Sequence, residues 1–105
     1  MVTPEIREII QKFIQKLKEQ QISPSKVIVY GSTVTGVSHK DSDIDIAVIS
    51  RDFGKDRFNE GVKLFEMASE IDPRIEPVPI SEESFENDTW VPLIYEIRKH
   101  GIVIM

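Results

Sequence analysis

Two pieces of sequence decide the reading: Gly31-Ser32, and downstream Asp41-Ser42-Asp43-Ile44-Asp45-Ile46-Ala47-Val48-Ile49. A small turn closes one apolar run, Val27-Ile28-Val29-Tyr30, and alternating acids open the next. Residues two apart on a strand point to the same face, so Asp43 and Asp45 project side by side, roughly 7 Å apart at Cα. The apolar residues that follow cannot all share that face, so the strand is buried in part on both sides. Paired carboxylates repel each other unless cations sit between them. Divalent metal is the usual remedy, and two ions about 3.5–4 Å apart clamp the attacking and leaving oxygens of phosphoryl transfer.

Composition sets the frame around this motif. A chain of 105 residues, 40% of them hydrophobic, is expected to fold as a single domain over 1–105 with one modest core. The net charge of -5 argues against nonspecific coating of nucleic acid. No cysteine is present, which removes disulfides and thiolate zinc sites. No apolar block reads as a signal peptide or a membrane span, so a cytoplasmic location is the expectation.

Periodicity supplies the other elements. Ile6, Ile9, Ile10, Phe13, Ile14 and Leu17 paint one stripe of a helix over 4–20, with Thr3 as cap and Pro4 at its first position. Val27 to Tyr30 is a strand ended by Gly31, and Ile44 to Ile49 is a second. Asp56 caps a helix from Arg57 to about Ile71, with Phe58, Val62, Phe65, Ala68 and Ile71 expected inward. Asp72-Pro73 stops that helix. Arg74 to Ile80 is extended, and Pro77 and Pro79 suggest an edge strand or a short pairing. Ser81 caps a short turn. Pro92 starts a last helix, Gly101 suits its C′ position, and Ile102 to Ile104 add a terminal strand.

Other metal and phosphate motifs fail on inspection. Gly31 and Gly36 have the glycine spacing of a P-loop, but Val37-Ser38 stand where its lysine belongs. Asp41-x-Asp43-x-Asp45 imitates an EF-hand loop, yet Ile46 and Asp52 occupy the positions that need Gly and Glu. His39 and His100 are too few for zinc. A solvated acidic loop is the bland alternative. The Gly31-Ser32 turn weighs against it, because backbone N–H groups and a hydroxyl after a strand suit a triphosphate.

Gly31-Ser32, a short loop, and Ser42-Asp43-Ile44-Asp45 before apolar residues resemble the minimal nucleotidyltransferases of the DNA polymerase beta superfamily. The resemblance covers nearly the whole chain. It implies an α/β (α+β) fold, a small mixed sheet flanked by helices. It implies transfer of a nucleoside monophosphate, AMP by expectation, from an NTP such as ATP onto a hydroxyl, with two Mg²⁺ ions. Carried across, Asp43 and Asp45 become metal ligands, and Gly31 and Ser32 the phosphate-contacting turn. Glu76 becomes the third catalytic and metal-binding acid on a later strand, with Asp72 as fallback. Many members are encoded beside a small helical HEPN-type protein, forming toxin–antitoxin pairs, so such a partner is expected, with a homodimer as another arrangement.

One departure stands out. Many members carry Arg-Gly in the loop after Gly-Ser, and Thr35-Gly36 stand here instead. Lys40, His39, Arg51 and Lys55 read as ordinary loop charges. Phe85, Trp90 and Tyr95 read as packing residues rather than base-stacking ones. The competing function is a non-catalytic nucleotide-binding antitoxin or interaction module.

Overall fold

A computed structural model describes residues 2–35 and 43–105. The readings placed on Gly36, His39, Lys40, Asp41 and Ser42 lie outside the described residues. The elements run α1 (Pro4–Glu19), β1 (Lys26–Tyr30), α2 (Ser32–Thr35), β2 (Ile44–Ser50), α3 (Arg57–Ile71), β3 (Ile75–Ser81), α4 (Glu82–Asn87), α5 (Pro92–His100) and β4 (Ile102–Val103). The strands form one mixed sheet in the order β3-β2-β1-β4. β1 lies antiparallel to both its neighbours, and β2 and β3 are parallel through the α3 crossover.

Each face of the sheet carries its own core. On one, Val27, Val29, Ile44, Ile46, Val48 and Ile75 pack with Ile10, Phe13 and Leu17 of α1 and Leu64, Met67 and Ala68 of α3. On the other, Ile28, Tyr30, Ala47, Ile49 and Ile80 pack with Phe85, Ile94 and Ile97 from α4 and α5. The strand bearing the acids is therefore covered on both sides, as its mixed apolar pattern requires. α1 follows its stripe, and its Thr3 cap accepts the Ile6 N–H at 3.2 Å. Asp56 and Ser81 cap α3 and α4 in the same way.

α3 corrects the sequence reading. It forms over the expected residues, but Phe58 and Phe65 are 78% and 57% exposed and Val62 is exposed beside them. The helix carries two apolar stripes: Phe58, Val62, Phe65, and Leu64, Met67, Ala68, Ile71. The parallel crossover sets the second against the cluster of Ile44, Ile46 and Ile75, which leaves the first outside. Trp90 and Tyr95 are also exposed, and only Phe85 of the three C-terminal aromatics is buried. Gly101 ends α5, but in extended backbone at φ -71° rather than as a left-handed C′ residue. Its smallness is needed because a Cβ would overlap Ile28 Cγ2 and the Ile97 carbonyl.

β3 is the edge strand its prolines suggested. The Ile44 N–H donates to the Arg74 carbonyl at 2.8 Å, and Asp45 pairs with Glu76 in register. Alternate residues carry a parallel ladder, so 74, 76, 78 and 80 face β2. Pro77 and Pro79, which have no N–H, face the open side. Among the described residues, no helix is long and apolar enough to cross a membrane.

Candidate active site

The register of three strands assembles the site. Tyr30 of β1 stands opposite Asp45 of β2, and Asp45 stands beside Glu76 of β3. All three belong to the sheet face that carries Ile28, Ala47, Ile49 and Ile80, because side chains alternate along each strand. Asp43, two residues before Asp45, precedes β2 and is exposed. The buried Thr33 hydroxyl donates to the Asp43 carbonyl at 3.4 Å, tying α2 to this approach.

Gly31 closes one side of the site. It has φ +76°, a backbone region that favours glycine. A Cβ on it would collide with Asp45 Oδ2, so the carboxylate rests on the glycine backbone. The chain then turns directly into α2 at Ser32, where the Val34 and Thr35 N–H groups donate to the Gly31 carbonyl at 3.0 and 3.2 Å. The Thr35 hydroxyl donates to the Ser32 carbonyl at 3.3 Å.

Electrostatics shows what this packing does. Burial, and then the charge of Asp43, raise Asp45 above the ordinary carboxyl value. Glu76 is raised chiefly by the charge of Asp43, with burial, Asp45 and a side-chain hydrogen bond with Asp43 adding to it. Asp43 and burial thus raise both of the acids paired across β2 and β3. Asp72 behaves in the opposite way. Its carboxylate accepts the Arg74 backbone N–H at 2.8 Å, Nε at 3.1 Å and Nη2 at 3.0 Å, which holds it below the usual range. Asp72 is the structural stop that its place before Pro73 suggested, and Glu76 is the acid that reaches the site.

The donor set is one of carboxylate oxygens, the kind that Mg²⁺ takes. Among the described residues, no three candidate ligands converge closely enough to hold an ion by themselves. Mg²⁺ asks for less: one or two carboxylates, with phosphate oxygens and water completing the octahedron. Asp43, Asp45 and Glu76 supply hard oxygen donors whose mutual repulsion a divalent ion relieves.

Tyr30 was not singled out from the sequence. Its only signal there is position, as the strand residue just before Gly31. It is 8% exposed, and burial together with the charges of Asp45 and Glu76 pushes its phenol up to about 12. Lys55, by contrast, lines a cleft of about 580 Å³ beside Val78, Ile80 and Leu93, further along β3 from Glu76.

Comparison with known proteins agrees with this geometry. The nucleotidyltransferase domain pattern matches residues 8–104. No curated protein matches the sequence. Among solved structures, a Sulfolobus solfataricus protein of proposed nucleotidyltransferase function is similar at TM-score 0.63 and 14% identity, over 94% of this chain and 78% of that one. A toxin–antitoxin structure with AMP-PNP is similar at TM-score 0.62 and 26% identity, over 90% of this chain and 71% of that one. A mutant of the toxin–antitoxin MntA–HpeT gives TM-score 0.60 and 24% identity over the same shares. With the pattern spanning nearly the whole chain and the acids set across the expected strands, the protein belongs to the nucleotidyltransferase domain family and is a nucleotidyltransferase.

Proposed function

We propose that this chain, acting as a single domain over 1–105, moves AMP from ATP onto a hydroxyl of a small helical HEPN-type partner in the cytoplasm. The observation that carries the reading is the register that sets Glu76 beside Asp45, with Asp43 at hand and Gly31 beneath. Asp43 and Asp45 are the residues that would hold two Mg²⁺ ions, with Glu76 on the acceptor side. Bound there, the ions neutralise phosphate charge and acidify the acceptor hydroxyl. Ser32 and the N–H groups that follow Gly31 orient the β- and γ-phosphates. The acceptor oxygen forms its bond to the α-phosphorus as the bond to pyrophosphate breaks, and the hydroxyl proton leaves on the Glu76 side. Positioning and charge neutralisation supply most of the rate.

The partner assignment draws on two of the similar structures, which are toxin–antitoxin assemblies, one of them with AMP-PNP. It also draws on charge: a chain of net -5 complements a basic, RNA-directed partner. A homodimer is the other arrangement that would complete the acceptor site.

Incubation with each labelled NTP, Mg²⁺ and the product of the neighbouring gene, followed by mass measurement of both proteins, tests the reading. The expected result is an added nucleotide monophosphate on the partner. Glu76→Gln should keep most NTP binding and lose transfer. A second reading, nucleotide binding without turnover in an antitoxin module, is favoured by Thr35 in place of the family's loop arginine. Tight Mg²⁺-dependent binding with no label transferred to any acceptor would establish that one instead.

A further inference from the structure

The row Tyr30–Asp45–Glu76 has a member that the chemistry above leaves unused. Tyr30 is more than nine-tenths buried, its ring packed in the cluster with Ile28, Ala47 and Ile49. No hydrogen bond to its hydroxyl is found among the described residues, and no fully enclosed polar side-chain atom there lacks a partner. The hydroxyl is therefore the part of the side chain that reaches the surface. It does so on the strand beside Asp45, its cross-strand partner. A buried phenol whose O–H reaches the surface beside an acid, with no acceptor among the described residues, is poised for an acceptor that arrives with the ligand.

The order of the row says which part of the ligand. Glu76 flanks Asp45 on one side, and Tyr30 flanks it on the other, one residue from the Gly31-Ser32 turn. Tyr30 thus stands on the phosphate side of the site, away from the acceptor acid. We propose that the Tyr30 hydroxyl donates a hydrogen bond to a phosphate oxygen of the NTP bound at Asp43 and Asp45. This rests on the nucleotide site proposed above. Phenol suits the place because it donates without bringing a positive charge that would compete with Mg²⁺ for the acids.

Tyr30→Phe tests this, because it keeps the packed ring and removes only the O–H. Wild type, Tyr30→Phe and Asp45→Asn are titrated calorimetrically with the β,γ-imido analogues of ATP and GTP in Mg²⁺, below all unfolding midpoints and counted per folded molecule. A hydrogen bond to a charged phosphate corresponds to roughly tenfold in affinity or more. The expected result is such a loss in Tyr30→Phe with an unchanged midpoint, beside complete loss in Asp45→Asn. A purely structural tyrosine would move the midpoint and leave affinity alone. Equal affinity in Tyr30→Phe and wild type, with Asp45→Asn still losing binding, would overturn the tyrosine role and leave the acid site standing. Wild type that binds neither analogue would overturn both.

Discussion

Asp45 and Asp72 sit at the same end of the sheet, each beside the start of a strand, and they are treated in opposite ways. Asp72 is enclosed by Arg74, whose backbone and guanidinium satisfy it, and its acidity is strengthened. Asp45 has glycine on one side and carboxylates on the other, and its acidity is weakened. One acid is used by the fold, and the other is held at the fold's expense. The difference separates them without reference to any relative: Asp72 has its cation in Arg74, and Asp45 is paired with another acid.

Removing each acid should widen that contrast. The largest effect is expected from Asp45→Asn, which should weaken Mg²⁺-dependent NTP binding by about a hundredfold or more. The same variant should unfold at a midpoint no lower than wild type in metal-free buffer, because a repelling charge is gone. Calorimetric titration and thermal unfolding of one sample read both. Asp72→Asn should do the reverse, costing about 1–2 kcal/mol in chemical denaturation while NTP affinity stays within a few-fold of wild type.

Titration sharpens the comparison further. The lowered Asp72 contributes stability above its ordinary value of 3.8 and loses it as pH falls through the depressed one. The raised Asp45 and Glu76 favour folding below their ordinary values of 3.8 and 4.5, and that contribution is lost as pH rises through their raised ones. Denaturation curves across pH should therefore lose their acid-side decline in Asp72→Asn. Their upper-side decline should shrink in Asp45→Asn, with the part due to Glu76 remaining because Asp43 is its chief cause, and should disappear in wild type with Mg²⁺. The smallest effect is expected away from both corners. Phe58→Ser, on the exposed stripe of α3, should shift stability by no more than about 0.5 kcal/mol, and a larger loss would mean that the stripe is covered in solution.

Much of this was legible in the residues themselves. β2 announced itself through alternating acids within an apolar run, α1 through a single stripe, and β3 through prolines that only an edge tolerates. Glu76 was singled out because the family's third acid lies on a later strand, and the register sets it beside Asp45. What stayed hidden depended on contacts across the fold. α3 has two apolar stripes, and which one packs is set by the crossover that lays it on Ile44 and Ile75, not by its own period. Gly101 is needed for clearance from Ile28, a residue far away in sequence. Tyr30 looked like one more strand aromatic until the register placed it in line with two acids.

The two prolines of β3 bear on how the molecule behaves in a crowd. A bare sheet edge is a template on which a second chain can polymerise, and the strand carrying Glu76 is such an edge. At Pro77 and Pro79 it offers carbonyls but no amide hydrogens, so an incoming strand would find half a ladder and leave its own carbonyls dry. Fibre growth through this edge is therefore disfavoured by covalent structure, independently of salt and pH. Glu76 can remain beside an open margin without the chain being drawn into self-assembly there.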